Sequence, residues 1–299
     1  MSNTRAPVRA YYDQNTWFFI AFNRTRQAEN IHRSLWTDGA KTLEEALHVT
    51  NERIRAEIEA VAPTQARIAD LGCGVGASLL YILPRLQTPK PAFGLTLSSV
   101  QARLANQFAK RENLEKQIYF AEGDFTRAPL ASEALDAIYS VEAVVHAQEP
   151  ELYFQETGRL LRPGGKLILV DDYLADRTLS RPETKWFDAY VSGWQVPGVT
   201  TVEQAKIVAA QHHLRLTKND DLTPYLRLRN LPNPLAQTLL FLGNHLPIRH
   251  AIVPSMLGSM ALQQCLSMKV IEYRFLVFEK SGGRVAPNAL PSHRPPGQV

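Results

Sequence analysis

The chain has 299 residues, enough for one large domain with insertions or for two small ones. Its 45% hydrophobic and 21% charged content is that of an ordinary soluble globular protein, and a formal net charge of +4 carried by scattered Lys and Arg argues against a nucleic-acid-binding stripe. No apolar stretch approaches the ~18 residues of a membrane span, the start "MSNTRAPVRAYYDQ" lacks the apolar core of a secretory signal, and the two distant cysteines, Cys73 and Cys265, form neither a disulfide framework nor a metal-ligand cluster, so a reducing, cytoplasmic setting is expected.

Residues 1–60 read as a mostly helical preface. "RIADL" at 67–71 is a first strand, broken by "GCGVGAS" before "LLYILPRL" continues as a helix. "AFGLTLS" is a second strand, and "SVQARLANQFAKREN" places its apolar residues at helical spacing. "QIYFAEGD" and "LDAIYSVEA" are strands three and four, and "EPELYFQETGRLL" is a helix. "RPGG" reads as a turn before the fifth strand, "KLILVDDY". After the helix "VEQAKIVAAQHH" comes "LRLTKNDDL", and "MKVIEYRFLVFEK" is long enough for a final strand. His212 and His213 read as the end of a helix. This alternation is the pattern of a parallel sheet with helices on both faces. Residues 175–200 and 224–267 interrupt it as insertions, and the tail 281–299 has too little apolar content to fold.

The most informative stretch is "DLGCGVGAS". It sets Asp70 at a strand end, then Gly72, Gly74 and Gly76 at alternate positions where a helix opens. Glycine permits a tight turn and lets a ligand lie against bare backbone. A doubly wound sheet places a nucleotide-like ligand at this carboxyl end of its first strand. The dinucleotide fingerprint spaces its glycines G-x-G-x-x-G; here the third glycine comes one residue early and an acid precedes the first.

The D-x-G-x-G-x-G form after a first strand resembles motif I of class I S-adenosylmethionine-dependent methyltransferases. The resemblance covers most of residues 61–172 and the last strand, and "GLTLSSVQ", "AEGDF" and "LLRPGGKLILVDD" stand in the order such an enzyme requires. It implies a doubly wound, Rossmann-like α/β core over 61–280, an N-terminal helical lid at 1–60, and lid insertions at about 175–200 and 224–267. It also implies S-adenosyl-L-methionine as cofactor. Gly72, Gly74 and Gly76 would underlie its methionine part and ribose, and Asp70 would orient the loop or meet the amino group. Asp124 would accept from the adenine amino group and Phe125 would cover the ring. The second strand lacks the usual ribose-binding acid; its "GLTLS" is similar to the cyclopropane-fatty-acid synthase and tocopherol methyltransferase branches, which makes Thr96 and Gln101 the cofactor candidates there.

"YSVEAVVHAQEP" ends the fourth strand with Glu142 and His146, in a run otherwise apolar enough to be buried. Burying an unpaired charge is costly, so such residues are either satisfied bystanders or used. The segment resembles its counterpart in sterol and tocopherol C-methyltransferases. The opening "YYD" with Tyr11, Tyr12 and Asp13, followed by Trp17, Phe18, Phe19 and Phe22, resembles their lid. Glu142, His146 and Tyr12 are therefore the candidate catalytic residues. An alkene attacking a sulfonium methyl becomes a carbocation and must lose a proton; a carboxylate beside it can stabilise the cation and take that proton, and aromatic faces can help. Methylation of a hydroxyl would instead call on a base such as His146. As a bystander, Glu142 would bond only the cofactor's amino group or a helix end, and His146 would be structural; His245 and His250 are at most pocket lining.

The expected function is C-methylation of a small apolar, isoprenoid or lipid-like metabolite, with no nucleic-acid partner, no membrane span, no metal, and room for a homo-oligomer. O-methylation of a phenol or polyketide, cyclopropanation of a lipid, and a cofactor-binding scaffold without turnover are the alternatives. Arg24, Arg26, Arg227 and Arg229 are either solvated surface residues or a clamp for a diphosphate or carboxylate on the substrate.

Overall fold

A computed structural model describes residues 32–228 and 252–282. Helix α1 (Leu43–Val61) starts at Thr42, whose hydroxyl accepts from the Glu45 amide while the Glu45 carboxylate accepts from the Thr42 amide, a reciprocal cap. Ile54 and Ile58 of this helix, a turn apart, are wholly buried in the main core. There follow β1 (Ile68–Leu71), α2 (Ala77–Ile82), β2 (Ala92–Thr96), α3 (Ser99–Arg111), β3 (Ile118–Glu122), β4 (Leu135–Val141), α4 (Pro150–Leu160) and β5 (Leu161–Leu174). The described elements end with α5 (Arg181–Trp194), α6 (Val202–Gln211), β6 (Leu214–Asp221), α7 (Ile252–Ser267) and β7 (Ile271–Lys280). As expected, His212 caps the end of α6.

The seven strands form one sheet in the order β3-β2-β1-β4-β5-β7-β6. The polypeptide runs outward from β1 through β2 to β3, then returns to the other side of β1 with β4 and β5. The reversal leaves a crevice at the carboxyl ends of β1 and β4, where open α/β sheets bind ligands. Apolar cores lie on the two faces, one against Ile54, Leu79, Ala105 and Tyr190, the other against Tyr153, Phe154, Ala205 and Ala209.

Two details differ from the sequence expectation. The sheet is not wholly parallel, because β7 runs antiparallel to both β5 and β6. Helix α7 ends beside the carboxyl end of β5, with the Val270 amide bonded to the Cys265 carbonyl, and Ile271 pairs with Leu174. A strand starting there with no crossover must run back toward the amino edge. The "RPGG" stretch is likewise not a turn ahead of β5 but an irregularity within it. Leu161 already pairs with Leu135, the register then shifts, and Gly164 takes up the distortion at φ +76°.

The stretches read as insertions contribute α5 and α7, which cross so closely that a Cβ on Gly193 would lie 2.6 Å from the Gly258 Cα. Among the described residues no helix is long and apolar enough to cross a membrane.

Candidate active site

The glycine loop joins β1 to α2 at the crevice. Gly72, Gly74 and Gly76 all have positive φ, which favours glycine. Side-chain space adds a second reason at two of them. A Cβ on Gly72 would strike Ala143, just past β4, and one on Gly76 would strike the Phe120 ring. The amides of Gly72 and Cys73 both donate to the Leu95 carbonyl, at 2.8 and 2.9 Å, and that of Gly76 donates to the Cys73 carbonyl. These three amides are thereby turned away from the crevice. Asp70 lies beneath it, 3% exposed, and burial pushes its carboxyl up to about 7 although the Tyr139 hydroxyl draws it back.

Beside the loop, along β2 and β3, the other expected cofactor residues gather. Thr96 and Gln101 are both buried, and the Thr96 hydroxyl donates to the Gln101 side-chain oxygen at 2.8 Å. The Asp124 carboxylate accepts from the amide and hydroxyl of Thr126 at 2.9 and 2.8 Å, which fixes the turn after β3. Phe125 is buried edge-on against Tyr153.

Glu142 follows the last residue of β4 with φ +50°, its amide bonded to the Val170 carbonyl. Because Ala143 touches the Gly72 position, the glutamate adjoins the glycine loop. It is half-buried, and its Oε1 accepts from the Arg33 amide at 2.9 Å and from the Tyr273 hydroxyl at 2.8 Å. His146 closes a short 3₁₀ turn, Val144–His146, with Nδ1 3.1 Å from the Gln195 carbonyl oxygen. Burial takes this imidazole down to about 4, against the opposing pull of that carbonyl, so it is neutral at physiological pH.

Sequence reasoning missed four residues around Glu142: Arg33, Asp172, Tyr190 and Tyr273. Arg33 forms a two-pronged ion pair with Asp172, which also accepts from the Tyr190 hydroxyl at 2.7 Å. The adjacent Asp171 accepts from the amides of Ala143, Val144 and Val145, securing the turn that follows Glu142. Both aspartates end the apolar run "LILVDDY", the same signal that singled out Glu142.

Tyr12 and the aromatics near it, Arg24, Arg26, Arg229, His245 and His250 lie outside the described residues. Arg227 stacks on the Trp36 ring, 3.2 Å from its centroid.

The donor set fits S-adenosylmethionine better than a nucleotide phosphate. Three of the loop amides, those of Gly72, Cys73 and Gly76, are engaged by protein carbonyls, and the acids Asp70 and Glu142 flank the loop. Asp70, Gly72, Gly74 and Gly76 would hold the amino-acid and ribose parts, and Thr96, Gln101, Asp124 and Phe125 the adenosine.

A family model described as a methyltransferase domain matches residues 69–169. Sterol 24-C-methyltransferase ERG6B of Gibberella zeae is 35% identical over 99 residues, 33% of this protein and 26% of that one. O-methyltransferase rstn1 of Aspergillus nomiae is 27% identical over 221 residues, 73% of this protein and 93% of that one. The solved geranyl diphosphate C-methyltransferase of Streptomyces coelicolor A3(2), in complex with Mg²⁺, geranyl diphosphate and S-adenosyl-L-homocysteine, aligns with a TM-score of 0.70. That alignment, at 15% identity over 93% of this protein and 98% of that one, shows a common fold. The chain spans about half the length, or less, of several curated relatives that it matches.

Proposed function

Because residues 69–169 match a methyltransferase-domain family model, we propose that this protein is an S-adenosylmethionine-dependent enzyme that methylates carbon on a small apolar acceptor, isoprenoid or lipid-like, with Glu142 as cation stabiliser and base. The cofactor supplies an electrophilic methyl group. The observation that carries the reading is the setting of Glu142: adjoining the glycine loop, half-buried, and held through one oxygen by two neutral donors from distant segments. An amide and a phenol orient a carboxylate without neutralising it, so it keeps its charge for a cation on the acceptor. Among the described residues Oε2 receives no hydrogen bond, and it is the oxygen that would take the proton.

O-methylation with His146 as base is the second reading, favoured by the long match to an O-methyltransferase. A general base works best with a pKa near the operating pH, and an imidazole at about 4 is poorly matched to neutral solution.

The test compares Glu142→Gln with His146→Ala, using S-adenosylhomocysteine release on a panel of geranyl diphosphate, geraniol, a sterol and a polyketide phenol. Glu142→Gln should keep cofactor affinity and lose ~10²–10⁴-fold in turnover, while His146→Ala loses less. Normal turnover by Glu142→Gln with a dead His146→Ala would replace C-methylation by the hydroxyl-methylating reading. Product masses show whether a methyl group has been added, and a protein that binds cofactor but turns over nothing would be the scaffold.

A further inference from the structure

The segment leading into α1 is fastened by a side chain with no assigned part in the chemistry. Arg33 Nη1 and Nη2 donate to Asp172 Oδ1 and Oδ2 at 2.6 and 2.8 Å. The pair is well buried, its side chains 15% and 2% exposed. The guanidinium also lies 4.6 Å from the Tyr273 ring centroid and 5.9 Å from that of Trp194. The backbone amide of this same Arg33 donates to Glu142. One residue thus connects the end of β5 to the carboxylate past the end of β4.

We propose that Asp172 is a positioning residue for Glu142, acting through Arg33; this rests on the reading of Glu142 as the base. The two-pronged bond fixes both the place and the orientation of Arg33, because a guanidinium meets a carboxylate this way in only one plane. Fixing the side chain at one end and the Leu35 amide on the Ala46 carbonyl at the other leaves the Arg33 amide a single direction. That direction, with the Tyr273 hydroxyl, sets the Glu142 carboxylate by its Oε1 and aims its Oε2. Asp171 and Asp172 then divide the work: the first holds the backbone that follows Glu142, the second holds the partner of its side chain. Tyr190 supports the arrangement by donating to Asp172 Oδ2. An ångström of misplacement at a reacting group can cost ~10²-fold, so the effect should appear in rate rather than in cofactor binding.

The test uses the full-length protein with Asp172→Asn, read by hydrogen–deuterium exchange, calorimetry with S-adenosylmethionine, and turnover of the panel acceptor used by the wild type. Amides of residues 33–36 should exchange about tenfold faster or more, because the segment loses its fastening. Cofactor affinity should stay within about twofold, and kcat should fall roughly 10–100-fold with the KM for S-adenosylmethionine unchanged. In a Glu142→Gln background the same substitution should cost less than about twofold more, as expected for residues acting as one unit. Unchanged exchange at 33–36 would overturn the fastening. An equal loss of kcat in both backgrounds would overturn the coupling and leave Asp172 merely structural. Normal turnover by Glu142→Gln alone would instead overturn the base assignment beneath it, a result distinguishable from the other two. Should Asp172→Asn fail to fold, Arg33→Lys keeps the charge but loses the two-pronged geometry and is read by the same criteria.

Discussion

Asp136 enters β4 and Glu142 follows its end, two acids on one strand in opposite surroundings. Asp136 is closed in by cations. Its Oδ2 accepts from the amide and Nε of Arg67 at 2.8 and 2.9 Å, and its Oδ1 from Arg162 Nε at 2.6 Å. Burial works against its charge, but the bonds from Arg67 and Arg162 outweigh that and hold the carboxyl at about 2. Glu142 is held as firmly, yet by an amide and a phenol, while the guanidinium nearest to it is taken by Asp172. At the amino edge of the sheet the charge is cancelled in place. At the carboxyl edge it is oriented and left available, the condition for acting on a cation.

The contrast breaks most sharply where the two halves of the carboxyl edge touch. Gly72→Val would put a branched side chain at φ +94° and drive it onto Ala143. Strain and overpacking together should weaken S-adenosylmethionine binding on the order of 100-fold or more by calorimetry. Unchanged affinity would remove the main support for the cofactor site. At the amino edge, Asp136→Asn should cost about 1.5–3 kcal/mol in chemical denaturation and leave cofactor affinity alone, because it removes charge-assisted bonds far from the crevice. Since its folded pKa lies below the unfolded one, the stability from Asp136 is fully present above about 4 and is lost as pH falls through about 2.

Asp70 should behave with the opposite sign. Its carboxyl is raised to about 7, so the unliganded fold loses stability as pH rises from about 4 to 7, the native state holding a proton that the unfolded polypeptide has released. A cationic amino group nearby favours the ionised form, so cofactor affinity should rise by up to about tenfold per pH unit below 7 and then level off. Asp70→Asn should flatten that profile; a wild-type profile already flat between pH 6 and 8 would exclude Asp70 from meeting the amino group. The smallest effect belongs to Tyr273→Phe, which removes one of the two donors to Glu142. About 0.5–1.5 kcal/mol, or a 2- to 10-fold loss of turnover at unchanged cofactor affinity, is expected from kinetics on the acceptor used by the wild type.

The glycine loop was legible because everything it needs is contiguous: an apolar strand, an acid, three glycines and the start of a helix within one short stretch. Glu142 was legible through the conflict between its charge and the apolar run before it. Its partners were not, because Arg33 and Tyr273 reach it across separations of 109 and 131 residues, and no local spacing encodes such a meeting. Asp172 carried the same conflict at the end of β5 and could have been found by the same reasoning. The direction of β7 had no local signature, since an apolar run reads alike in either sense; the place where α7 ends decides it. The "RPGG" stretch shows the converse, a strong turn signal absorbed into a strand by a shift of register at Gly164.

Whether the β1–β2–β3 half of the crevice holds the adenosine while Glu142 is left for the acceptor would be visible in a crystal structure of the S-adenosylhomocysteine complex. The expected result has adenine between Asp124 and Phe125, the amino group on the Asp70 side of the loop, and the Glu142 Oε2 open toward the sulfur and bonded to no cofactor atom. An amino group seated on Glu142 Oε2 would instead make the glutamate a cofactor-binding residue and rule it out as the base.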